Sequence, residues 1–247
     1  MTRHTRAPLA LALALALLGP ASASASAATP LLGPSAAAAS PLDRAAWERA
    51  VVERLGAGAT LSWDALRAAP KALRRLDAPT VGIDPASRAL GFAIAHRDLL
   101  GLPPAVELWP AAVTTFRDGA VVRFAQRVAG LPVEGRVLTV TLARDGRARA
   151  VRLDPPPHGL ATTARALPAA AAVAAIHARF GPLPCGRPTA VAYPTAAGLA
   201  RPAWRVPVAL IPFVAHFRVW VDAETGAVLA QAPASAHQPF ARLEVAR

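Results

Sequence analysis

Metal or acid–base chemistry in this chain would have to come from six histidines, one cysteine and a few carboxylates near turns. The histidines are His4, His96, His158, His177, His216 and His237. No two stand four residues apart, so no helix can present the paired imidazoles of an HExxH zinc site. The chain has no Gly-x-Ser-x-Gly elbow and no Walker phosphate loop. Cys185 lies in the connector PLPCGRP, and no base is signalled beside it. A single cysteine excludes an intramolecular disulfide framework and a multi-cysteine metal cluster. An inert thiol is expected at Cys185, with pairing between chains the other outcome. Asp145, Asp222 and Glu224 sit in or beside turns, where carboxylates have structural reasons to be. The expectation is a chain that is not an enzyme, with no catalytic residue, no metal and no cofactor.

The elements that position these residues fall into an exported N-terminus and two α+β halves. Arg3, His4 and Arg6 precede LALALALALL at Leu9–Leu18, which breaks at Gly19-Pro20 and runs into ASASASAA. That order of basic, apolar and small residues is the pattern of a cleaved secretory signal peptide over residues 1–27. An N-terminal anchor is the alternative, but ten apolar residues reach only about half a bilayer core as a helix. A secreted or periplasmic protein is expected, with a flexible linker over residues 28–40.

The 247 residues carry a formal charge of +12, and Lys71 is the only lysine. The arginines are scattered rather than clustered in a basic stripe, which argues against nucleic acid as partner. No later apolar run is long enough to cross a membrane.

Ser40-Pro41 reads as a cap and first turn, followed by a helix with Trp47, Val51 and Leu55 on one side and Gly56 at its end. A second helix is expected from Pro85 to Leu100, lined by Leu90, Ile94 and Leu100. Val121–Val128, Val137–Leu142 and Arg147–Leu153 read as a three-strand antiparallel meander, with Asp145-Gly146 as a two-residue turn. Asp154-Pro155-Pro156-Pro157 must leave the sheet, because consecutive prolines cannot donate to a ladder. The second half repeats the order. A helix over Pro168–Phe180 precedes strands at Thr189–Tyr193, Ala203–Ile211, Ala215–Val221 and Ala227–Gln231. Pro207 should mark an edge or a bulge.

Residues 121–151 read VVRFAQRVAGLPVEGRVLTVTLARDGRARAV. This resembles the fungalysin/thermolysin propeptide (FTP) pattern, carried here by Arg123, Phe124, Gln126, Gly130, Pro132, Val133, Gly135, Asp145 and Gly146. Arg127 stands where the pattern usually has a second glutamine. The stretch RPAWRVPVALIPFVAHFRVWVDAETGAVLAQ resembles a PepSY domain through Trp204, Asp222 and Thr225-Gly226. The resemblance implies an FTP-like domain over 41–157, a PepSY-like, cystatin-like domain over 165–232 and an extended tail over 233–247. Each module would pack a helix on a mostly antiparallel sheet.

FTP followed by PepSY is the architecture of the pro-regions of thermolysin-type and fungalysin-type zinc metallopeptidases. The resemblance therefore implies a secreted protein that binds such a peptidase catalytic domain, in cis or in trans, assists its folding and inhibits it. The motif residues would serve binding, through a structural role. The other reading is a stand-alone envelope module for a peptide or an acidic surface polymer.

Overall fold

The computed structural model describes residues 41–64, 69–161, 167–211 and 215–234. The signal peptide, the linker, the Ser40 cap and nearly all of the tail lie outside them. The described residues form an α+β fold. In chain order its elements are α1 (Pro41–Leu55), β1 (Thr60–Asp64), β2 (Ala69–Ala78), α2 (Pro85–Ala95), β3 (Val106–Phe116), β4 (Gly119–Val128), β5 (Leu131–Ala143), β6 (Ala148–Leu153), α3 (Ala169–Phe180), β7 (Thr189–Pro194), β8 (Ala200–Ile211), β9 (Ala215–Asp222) and β10 (Val228–Pro233). The strands pair in the order β1-β2-β6-β5-β7-β8-β9-β10, and β4 joins β5 to β3. Every pairing is antiparallel except the step from β5 to β7, Val133 to Ala192. No helix among the described residues is long and apolar enough to cross a membrane.

Period-two alternation sends one face of β4–β6 into a core beneath α1 and α2, which β2 joins. Leu73, Val122, Phe124, Leu138, Val140, Val151 and Leu153 fill it from the strands, with Val51, Leu55 and Phe92 from the helices. The α1 helix ends at Leu55, before Gly56. Asp84 caps α2 in a capping box with Ser87, and Pro85 occupies the first turn.

The α2 helix is shorter than its apolar run suggests. It stops at Ala95, and residues 96–100 turn towards Gly101 (φ +61°). Its buried side is Ala89, Phe92 and Ala93, while Ile94 is exposed. Leu90 packs against the core and Leu100 is buried in the turn beyond the helix, so of the three expected lining residues only Ile94 is exposed. Three strands, β1, β2 and β3, carry no clean alternation in the sequence. The β3 strand contains Pro110, which suits an edge. The Arg97 guanidinium donates to the carbonyls of Leu102, Pro103, Pro104 and Val106, pinning the entry to β3.

The meander forms as its alternation predicts, with Val140 between Val122 and Val151. The β5–β6 turn has three residues rather than two. Gly146 N–H donates to Ala143 O (2.8 Å) and Ala143 N–H to Arg147 O (2.9 Å), leaving Arg144, Asp145 and Gly146 in the loop. Gly146 takes φ +83°, the left-handed position of this turn. Gly146→Val should cost about 1–2 kcal/mol through backbone strain, while Gly146→Asn should be mild. An unchanged urea midpoint for the valine variant would contradict this turn geometry.

In the second half α3 covers one sheet face through Ala172 and Ile176 against Val206, Val208, Val219 and Val221. Pro207 lies in β8 beyond the last residue paired with β7, and its carbonyl accepts Gly186 N–H from the Cys185 connector. Its missing N–H thus faces the connector side and not the β9 ladder, which is why the strand tolerates it. The proline run leaves the sheet after Leu153, with Pro155 and Pro157 buried. It is then pinned at His158, Gly159 and Ala161 to the β7–β8 hairpin.

Candidate functional site

The hairpin between β4 and β5 turns through Ala129 (φ +49°) and Gly130 (φ +76°). Two consecutive positive φ values make a two-residue primed turn, so Gly130 shapes the turn directly and Pro132 already belongs to β5. Beyond it β5 bulges. From Arg127–Pro132 to Ala125–Val137, β4 advances two residues and β5 five. The extra residues include Val133, Glu134 and Gly135 (φ +64°). They swing away from β4 and meet the second half of the fold. Val133 is buried and pairs with Ala192 of β7. Glu134 lies 3.2 Å from an Arg205 nitrogen and 4.0 Å from an Arg218 nitrogen.

Gln126 sits opposite this bulge. Its side chain is fully buried with Phe124. Its Nε2 donates to Asp154 O at 2.8 Å. The amide therefore ties β4 to the end of β6 across the place where β5 departs. Asp154 also holds Val137 at both ends, through its N–H to Val137 O and through Oδ2 accepting Val137 N–H. Gln126 Oε1 has no hydrogen-bond partner among the described residues. A long neutral side chain ending in a donor is what this span requires, which gives the motif glutamine its physical reason.

The remaining motif residues fall in separate places. Arg123 is exposed on the opposite face, in register with Ala112 and Thr139. On that face Thr139 leads on to Arg152, and the Arg127 guanidinium stacks on Trp109 at 4.7 Å. Asp145 and Gly146 form the distant hairpin, where Asp145 Oδ1 accepts Arg147 N–H.

Trp204 packs by α3 and donates Nε1–H to Leu167 O (2.8 Å). Asp222 is buried, with Oδ1 accepting N–H from Glu224 (2.8 Å) and Thr225 (3.0 Å) and Oδ2 accepting from Arg201 (2.9 Å). Gly226 closes this turn at φ +74°. Burial alone would raise the Asp222 carboxyl, but the Thr225 and Glu224 amides and Arg201 outweigh it and hold it below its ordinary value. A depressed folded-state pKa stabilises above the ordinary carboxylate range, and that stability is lost as pH falls through the folded value. Asp222→Asn keeps an acceptor but loses the charge on Arg201. It should cost about 1–2 kcal/mol at pH 7, with the gap to wild type closing as the solution is acidified. A gap independent of pH in urea titrations would contradict this.

Cys185 does have a neighbouring base, contrary to the sequence reading. His177 Nε2 lies 3.7 Å from Sγ. That nitrogen is 2.9 Å from Leu183 O, a pure acceptor, so it carries the hydrogen and cannot take one from the thiol. Burial pushes the thiol pKa up, which disfavours the thiolate. Among the described residues no group of three or more His, Cys, Asp or Glu is placed to hold a metal ion.

Sequence reasoning missed Glu134 and Arg205, which look like ordinary surface charges until the bulge brings them together. It also missed the exposed apolar side chains of β3. Signals for both existed, in the Val-Glu-Gly step between two turn residues and in the β-branched run after Pro110.

No curated protein matches the sequence. Among solved structures, the Bacillus megaterium YpeB C-terminal domain is similar at 12% identity and TM-score 0.31, over 66% of this chain and 71% of that one, too distant to carry an argument. Residues 111–152, which span β3 to β6 and hold the turn, the bulge and Gln126, match the Fungalysin/Thermolysin Propeptide Motif, so this part of the chain carries a propeptide motif and not a catalytic one.

Proposed function

We propose that the chain acts as the pro-region of a thermolysin- or fungalysin-type zinc metallopeptidase, in cis or in trans, assisting its folding and holding it inactive. The observation that carries this reading is the propeptide motif on β3–β6. The reading includes an FTP-like module over 41–157, of which residues 111–152 match the motif, and a PepSY-like module over 165–232. The second is supported by the order of α3 and four strands and by Trp204 and the Asp222–Gly226 turn. The Glu134–Arg205 bridge and the Val133–Ala192 pairing join β5 to the strands of the second half.

Export through a cleaved signal, to the periplasm or the outside, is supported by the basic, apolar and small-residue order of residues 1–27. The physics is binding. A partner that contacts only the native peptidase shifts its folding by mass action, by about 2.7 kcal/mol at one hundred times Kd. Linkage in one chain raises the effective concentration further. The tail over 233–247 is the segment that enters the peptidase cleft in this scheme.

Titrating residues 28–247 into thermolysin-type and fungalysin-type enzymes should inhibit at least one of them stoichiometrically, with a complex visible by size exclusion. Unchanged rates and separate elution across the panel would reject the proposal.

A further inference from the structure

Like the outer strands β1 and β10, β3 pairs with a single neighbour among the described residues, β4. From Pro110 to Phe116 every residue is exposed, and so is Trp109. Trp109, Val113 and Phe116 are 53%, 45% and 48% exposed. Such an edge offers a row of open backbone donors and acceptors, and proteins guard it with charges, prolines or bulges. Here Pro110 and the bulge at Ala111 guard only the first half. Residues 112–116, AVTTF, carry no charge and no proline.

The charge on the strands beside this edge is mainly positive, with the acid Asp118 in the β3–β4 turn at its end. On the face away from the helices, Arg123 lies in register with Ala112, and Arg152 follows beyond Thr139. Arg127 stacks on Trp109 of the same face. Within β3–β6 the acids are Glu107, opposite Arg127, and Glu134, already engaged by Arg205. A strand added beyond β3 would lie about 10 Å from β4, two strand spacings away. An arginine and a glutamate reaching towards each other span that gap, and the small Ala112 and Thr114 leave room above β3. The other face of the added strand would lie along Val113.

We infer that β3 is a docking edge for an extended polypeptide strand that alternates acidic with apolar side chains. The backbone ladder supplies affinity, and the arginines set which face the acids take. This inference does not rest on the peptidase reading, since a strand can dock whether or not a peptidase binds.

The test is fluorescence anisotropy of the purified chain with two labelled probe peptides, one alternating valine with glutamate and one alternating valine with lysine. The glutamate peptide should bind saturably and weaken with added salt, and the lysine peptide should bind at least tenfold more weakly. Val113→Lys guards the edge and Arg123→Glu reverses the adjacent charge. Both positions are exposed, so melting should stay unchanged while glutamate-peptide binding falls at least tenfold, and Arg123→Glu should raise lysine-peptide binding. Equal affinity for the two peptides, no binding of either, or full binding by Val113→Lys would overturn the inference. A concentration-dependent dimer abolished by Val113→Lys would also overturn it, by making a second copy the occupant.

Discussion

Gln126→Glu is expected to destabilise the protein by about 3.5 kcal/mol at pH 7, approaching about 4 kcal/mol at higher pH, from a shift of about three pKa units at about 1.36 kcal/mol each. The substitution is nearly isosteric, so packing changes little. What changes is a charge in a fully buried site, with no cation among its hydrogen-bond partners and with acidic Asp154 as its neighbour. Both burial and the like charge favour the neutral acid. The new carboxyl therefore has a raised folded-state pKa. Its neutral form is accommodated below the unfolded value, about 4.3, and stability is lost as pH rises above it. The protonated acid can donate to Asp154 O as the amide does. Urea midpoints should thus differ widely from wild type at pH 7 and approach it near pH 4. An equal loss at both pH values would mean that shape, and not charge, makes Gln126 necessary.

Glu134→Arg should lower stability by about 3 kcal/mol, at the low end for breaking a largely buried pair, because Arg205 keeps some solvent contact. The Glu134 side chain is 14% exposed, against 34% for Arg205 and 20% for Arg218. Replacing the acid sets three guanidinium groups together at the joint between β5 and the β8–β9 sheet. The melting temperature should fall, and Arg205→Glu in the Glu134→Arg background should recover part of the loss. Failure of that reversal to recover any stability would show that the pair does not couple the two sheets.

The legible parts of the fold were those in which local pattern and tertiary burial agree. The meander β4–β6 alternates cleanly, and its middle strand is buried between neighbours. The α3 helix carries its own stop at Gly181-Pro182. The sequence misled where tertiary contacts chose between equivalent patterns. Ile94 has the right spacing for a core face, but the sheet takes Ala89, Phe92 and Ala93. The β3 strand is hidden because an outer strand exposed on both faces needs no alternation.

At the candidate site the turn glycines were readable as requirements for positive φ. Their purpose was not. Gly135 serves a bulge that carries β5 from one half to the other, and its partners Ala192, Arg205 and Arg218 lie more than fifty residues away. Opposite the same bulge, Gln126 is a buried tie between β4 and Asp154.

Under the proposed function this scaffold binds a peptidase catalytic domain of the thermolysin or fungalysin kind. Refolding such a domain from denaturant, with and without an equimolar amount of the chain, tests it directly. A severalfold higher yield of folded domain, isolated as a one-to-one complex that regains activity when the chain is digested away, is the predicted result. Identical yields, with the two proteins eluting apart, would contradict it.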